Sequence, residues 1–88
     1  MDVLEQSFLK SIEIVNNLKK TPSKEELLII YSLFKQSKFG NNTLEQPSFL
    51  YIKERAKWEA WNKLNNMNQN EAKQQYITLA VNLFKKYN

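Results

Sequence analysis

The 88-residue chain contains no cysteine and no histidine. The first absence excludes disulfides and thiolate metal sites. The second removes the commonest general base. One glycine and two prolines supply little turn chemistry for a β fold and favour long helices instead. With so little glycine there is no phosphate-cradling loop, so any phosphate must be held by side chains. No apolar run approaches the ~20 residues that a membrane span needs. The opening MDVLEQ has an acid at position 2 and no basic stretch, which argues against a secretory signal. A cytoplasmic protein is expected, and the lack of cysteine is compatible with that compartment.

Thirteen basic and nine acidic residues leave a net charge of +4. A mildly basic balance suits an anionic ligand, a nucleic acid or a membrane surface, and equally a solvated excess of lysine. The length suits one domain, residues 1–88, with one modest core.

Hydrophobic spacing predicts four amphipathic helices. The first runs over 3–18, where Leu4, Phe8, Ile12, Val15 and Leu18 form one stripe. Thr21-Pro22-Ser23 breaks it, and Ser23 with Glu26 forms a capping box that starts a second helix reaching Phe39. Gly40 stands where a left-handed residue would end that helix. Its apolar set, Leu27 to Tyr31 with Leu33 and Phe34, is wide enough to need cover on more than one side. Either two helices cover it, or one helix and a ligand. Residues 41–48 are polar and turn-like, with Pro47 excluding a helix interior. Their Asn and Gln content, and that of 65–75, reads as compositional bias of a polar surface. A third helix is expected over 48–64, with the stripe Ile52, Ala56, Ala60 and Leu64 and with Trp58 and Trp61 as core anchors. Asn68 and Glu71 cap a fourth, reaching about Lys86, with Ala72, Tyr76, Leu79, Ala80, Leu83 and Tyr87 on one face. The short first and third connections predict that helices 1 and 2, and helices 3 and 4, pack as antiparallel neighbours. The longer middle connection lets helices 2 and 3 run parallel.

Two stretches carry chemistry. In Leu27–Gly40, Tyr31 and Lys35 are one helical turn apart beside an apolar surface. In Lys53–Trp61, Lys53 and Lys57 are likewise one turn apart, beside Trp58 and Trp61. A cation next to an aromatic on each of two helices suits an anion attached to something apolar. Catalysis has no support: the nucleophile–base pairs that use histidine or cysteine cannot be formed, and the carboxylates are scattered beside lysines such as Lys57 and Lys63. No metal-ligand spacing occurs. The residues alone also admit a small helical interaction module that docks a partner helix or an acidic surface. Nucleic-acid binding rests on charge only.

The segments Pro22-Ser23, Glu26-Leu27-Leu28, Tyr31-Ser32-Leu33-Phe34-Lys35-Gln36 and Gly40 carry a resemblance. So do Ala56-Lys57-Trp58-Glu59-Ala60-Trp61-Asn62, then Ala72 and Tyr76-Ile77. Over essentially its whole length the chain resembles the acyl-CoA-binding protein, or diazepam-binding inhibitor, family. The resemblance implies an all-α, four-helix up-down-down-up bundle that binds one long-chain fatty acyl-CoA in a bowl. It implies an intracellular, monomeric carrier and pool former of fatty acid metabolism, with no enzyme activity, no cofactor and no nucleic-acid partner. Transient contact with membranes or acyl-CoA-using enzymes goes with that role. Tyr31, Lys35 and Lys57 match the positions that hold the ligand's 3′-phosphate. Phe34 matches an adenine-end aromatic that is usually tyrosine, and Tyr76 a tyrosine near the site. Leu27, Leu28 and Ile52 match apolar ligand contacts, and Lys53 adds to the basic edge. Asn16 stands where some members carry a phosphate-assisting lysine.

Overall fold

Three of the four helices start where a side chain satisfies the first amides. In the computed structural model, which describes residues 2–88, α1 spans Val3–Asn16, α2 Lys24–Phe39, α3 Ile52–Asn62 and α4 Gln69–Tyr87. Among the described residues there is no strand. Asp2 accepts the Glu5 N–H at 2.7 Å. Ser23 and Glu26 close the expected capping box, Glu26 N–H to Ser23 Oγ at 3.1 Å and Ser23 N–H to Glu26 Oε1 at 2.9 Å. Asn68 caps α4 through the Asn70 N–H at 2.7 Å. Only α3 starts without a side-chain cap.

The ends differ from the sequence reading at three places. α1 stops at Asn16 rather than Leu18, because the Asn17 amide side chain takes the Glu13 carbonyl at 2.8 Å and competes with the backbone. α3 starts at Ile52, four residues later than expected, because residues 48–51 form a separate turn. It ends at Asn62, in a run of tighter turns ending at Asn66, whose φ is +79°. Gly40 does end α2 at positive φ, +74°, but its ψ of −145° is not left-handed helical. That backbone region is close to glycine-only. An added Cβ would meet only Gln69 at 3.9 Å, so conformation rather than space calls for the glycine.

Hydrogen bonds between helices give their directions. Gln69 Nε2 donates to the Ser37 carbonyl at 3.1 Å, and Lys86 pairs with Glu26 at 3.1 Å, so α4 runs antiparallel to α2. Trp61 Nε1 reaches the Gly40 carbonyl at 2.9 Å, at the C-terminal ends of both α3 and α2. At their other ends Leu27 and Leu28 face Ile52, so the two run parallel. Lys73 pairs with Glu5, and the Lys20 N–H meets the Tyr87 carbonyl, which aligns α1 with α4. The order is up-down-down-up.

Packing corrects the expected neighbours. α4 packs on α1 and on α2, and α2 packs on α3. The pairs α1–α2 and α3–α4 run antiparallel as expected but do not pack backbone to backbone. The cause is the width of the apolar face of α2, which takes α4 on one side and α3 on the other. The core is Phe8, Ile30, Leu33, Tyr76, Ala80 and Leu83, with Ile12, Val15, Leu18 and Phe34 packed against it. Each large side chain buried there contributes roughly 1.5–3 kcal/mol. Trp61 is buried, as expected of an anchor, but Trp58 is only half-buried. The molecule is flat, with principal extents of 36 × 30 × 14 Å, so a site on it is a surface groove rather than an enclosed cavity.

Candidate functional site

Where α3 lies parallel along α2, the pair leaves an apolar groove of about 490 Å³. Leu27, Leu28 and Tyr31 of α2 form one wall; Ile52, Ala56 and Lys57 of α3 form the other, with Lys24 and Lys53 on the rim. Leu27 and Ile52 are exposed there although they belong to the helices' apolar stripes. That exposure shows what only partly covers the face of α2: a helix that stops short of filling the seam.

Tyr31 closes one end of the groove, and two cations flank it. The Lys35 ammonium lies 5.7 Å from the Tyr31 ring centroid, and the Lys57 ammonium lies 5.5 Å from it. Lys35 also sits 4.9 Å from the Phe39 ring and 5.5 Å from Trp61. Each such contact contributes about 0.5–2 kcal/mol, rising with desolvation. The rings therefore hold two like charges close to one phenol. Burial pushes the Tyr31 hydroxyl above its ordinary pKa, so it stays protonated and able to donate. Two ammonium groups and a phenol at the head of an apolar groove present donors and positive charge to a phosphate. Among the described residues no cluster of acidic side chains could hold a metal ion.

Polar contacts fix this arrangement. The fully buried Gln36 donates from Nε2 to the Met67 carbonyl at 2.8 Å and to Asn41 Oδ1 at 3.2 Å, and accepts the Trp61 indole N–H at 3.2 Å. Trp61 is thus pinned to the C-terminal end of α2, beside Lys35. Asn42, buried, donates its N–H to Asn65 Oδ1 at 2.8 Å and its side-chain amide to the Trp58 carbonyl at 3.3 Å. The Trp58 indole donates to the Leu44 carbonyl at 2.8 Å. The asparagines read from sequence as surface bias are therefore ties between 41–44 and α3. Buried backbone groups left by the irregular connection need those partners. A smaller recess of about 290 Å³ results, lined by Tyr31, Lys57, Trp58 and Trp61, with Glu45 and Glu54 on its rim.

Six of the nine residues singled out from sequence line the α2/α3 groove: Leu27, Leu28, Tyr31, Ile52, Lys53 and Lys57. Lys35 lies next to it against Tyr31. Phe34 packs on Phe8, ring centroids 6.5 Å apart, at the edge of the core. Tyr76 is buried edge-on to Phe8 at 5.2 Å, and desolvation raises its pKa to about 12. Neither ring lines the groove. Asn16 ends α1 at the surface. The sequence reading missed Lys24, Ala56 and Phe39. Phe39 was reachable, since it stands one helical turn after Lys35 as Lys35 does after Tyr31.

A family model described as acyl CoA binding protein matches residues 5–80. An acyl-CoA-binding protein homolog of Drosophila melanogaster is 41% identical over 85 residues, 97% of this chain and 99% of that protein. The acyl-CoA-binding protein of Saccharomyces cerevisiae is 40% identical, covering 97% of this chain and 98% of its own. The crystal structure of Oryza sativa acyl-CoA-binding protein 2 superposes with a TM-score of 0.91 at 32% identity, over 94% of this chain and 90% of that one.

Proposed function

Because this chain belongs to the acyl-CoA-binding protein family, we propose that it binds one long-chain acyl-CoA in the α2/α3 groove and acts as an intracellular carrier and pool former. The observation that carries this reading is the placement of Tyr31 between two lysines at the head of an apolar groove. Acyl-CoA combines a phosphate-rich head, a flat purine and an apolar tail. Tyr31, Lys35 and Lys57 hold the 3′-phosphate through charge-assisted hydrogen bonds. Leu27, Leu28 and Ile52 take the tail, each buried CH₂ contributing about 0.8 kcal/mol. Lys53 adds positive charge at the rim. Phe34 and Tyr76 support the purine end from within the core rather than from the groove wall. Lacking a hydroxyl, Phe34 contributes apolar area only.

Residues 1–88 act as one acyl-CoA-binding domain, monomeric and cytoplasmic, with transient contact to the membranes or enzymes that exchange ligand. Among the described residues no helix is long and apolar enough to cross a membrane. Titration calorimetry with palmitoyl-CoA tests the reading. A stoichiometry of one, with a change in Trp58 and Trp61 emission, is the expected result. The absence of both heat and spectral change at micromolar ligand would instead favour a helical interaction module without a lipid ligand.

A further inference from the structure

The turn that leads into α3 carries the wrong residues for a turn. The Ser48 carbonyl accepts the Tyr51 N–H at 2.9 Å, and Ser48 Oγ accepts the Leu50 N–H at 3.2 Å. Phe49 and Leu50 are therefore its two central residues. Surface positions of that kind ordinarily hold Gly, Asn, Asp, Ser or Pro. Here Phe49, Leu50, Tyr51 and Ile52 are 72, 73, 63 and 76% exposed. The Ser48 hydrogen bonds hold the turn whatever side chains follow, so the fold itself does not require four consecutive large apolar residues in water. A contiguous exposed apolar patch marks an interaction site.

Shape and charge indicate what covers it. Phe49, Leu50 and Tyr51 stand out from the turn and Ile52 from the first position of α3, which makes a wedge beside the groove. A short apolar wedge that carries two aromatic rings, Phe49 and Tyr51, suits a bilayer interface, where no shape-matched partner is needed. Lys53 follows the wedge directly, and Lys24 and Lys57 line the groove that Ile52 shares. None of these three lysines takes part in an ion pair among the described residues. Glu25, Glu45 and Glu54 stand nearby, and with Lys35 against Tyr31 the lysines number four, leaving one positive charge in excess that an anionic surface attracts. Ile52 is at once the base of the wedge and part of the groove wall, so apolar surface runs unbroken from one to the other.

We propose that Phe49–Ile52 insert into an anionic lipid surface, with Lys24 and Lys53 at the headgroups, so that the groove opens onto the bilayer with which it exchanges ligand. The exchange role rests on the acyl-CoA reading above; the insertion does not. Co-sedimentation of the full chain with phosphatidylcholine vesicles containing about 30% phosphatidylserine tests it. The wild type sediments with these vesicles, less with pure phosphatidylcholine, and less again as salt rises from ~0.1 to ~0.5 M. The double variant Phe49→Ser/Leu50→Ser loses about tenfold or more in partitioning. Its melting temperature and its palmitoyl-CoA affinity in vesicle-free buffer stay at wild-type values.

A second measurement does not depend on that variant's folding. The chain has no cysteine, so Leu50→Cys carries a single environment-sensitive dye, whose emission shifts to the blue on adding the anionic vesicles. No wild-type sedimentation, equal sedimentation of the double variant, or an unshifted dye overturns the proposal. So does a wild type that dimerises while the double variant does not, since the wedge then meets a second copy. Failure of the vesicle-free palmitoyl-CoA titration overturns the ligand reading instead and leaves the vesicle result standing.

Discussion

The two seams that α2 makes are built from different materials. Toward α4 and α1 the middle of the contact is apolar and closed, with Phe8, Ala80 and Leu83 at 1% exposure or less, and the polar ties, Gln69 on Ser37 and Lys86 on Glu26, stand at its ends. Toward α3 it is pinned by polar groups at one end, Gln36 to Trp61 and Trp61 to Gly40, and left open at the other, where Leu27 and Ile52 face each other across a groove. Apolar burial drives the first seam together without regard to direction. Hydrogen bonds fix the geometry of the second while leaving apolar surface unused. One half of the molecule supplies stability and the other keeps a site available.

Substitutions on the two sides should therefore separate stability from binding. The largest effect belongs to the closed seam. Phe8→Ala removes the ring that packs on Tyr76 and Phe34 and should cost about 3–5 kcal/mol, read as a fall in urea midpoint and melting temperature. On the open seam, Lys57→Met should leave the melting temperature within a degree or so and weaken acyl-CoA binding by about 10–100-fold, the cost of one hydrogen bond to a charged group. If Lys57→Met unfolds the protein, the division between the seams fails.

Trp58 lies between these extremes. Half-buried, with its indole on the Leu44 carbonyl, it should lose about 1–3 kcal/mol on replacement by Ala, less than Phe8. A loss equal to that of Phe8→Ala would make it a core residue after all. The smallest effect sits at the end of the α2/α4 seam. Hydrogen bonds from the Tyr87 hydroxyl, from the Ser23 N–H and from Lys86 lower the Glu26 pKa to about 2 from its ordinary 4.5. A depressed carboxyl contributes stability that is complete above pH 4.5 and fades as pH falls toward 2. Glu26→Gln should be slightly less stable than wild type at neutral pH, with the two denaturation curves converging near the lower pH.

Much of this was legible in the chain itself. The stripe of Ala72, Tyr76, Ala80 and Leu83 and the Ser23–Glu26 box are local patterns, and local patterns survive into the fold. The Tyr31–Lys35 pair is of the same kind. The pairing of Lys57 with Tyr31 across two helices was a coincidence of types in the residues themselves and was expected only through the family resemblance; the parallel packing of α2 and α3 brings the two together. The polar ties were not legible, because an asparagine on a buried carbonyl and one in water look alike in sequence. Nor was the packing order, since short connections set helix direction but not which faces meet.

Tyr31, Lys35 and Lys57 are proposed to read one phosphate. The most direct measurement compares palmitoyl-CoA with its 3′-dephospho form on wild type and on Lys35→Ala. The group removed carries about two negative charges near neutral pH, so wild type should bind the dephospho ligand at least ~100-fold more weakly. Lys35→Ala should weaken the palmitoyl-CoA complex strongly and the dephospho complex only slightly, a non-additivity that the cycle reads as coupling between lysine and phosphate. If the substitution weakens both complexes by the same factor, these residues do not read that phosphate, and the head group lies elsewhere on the bundle.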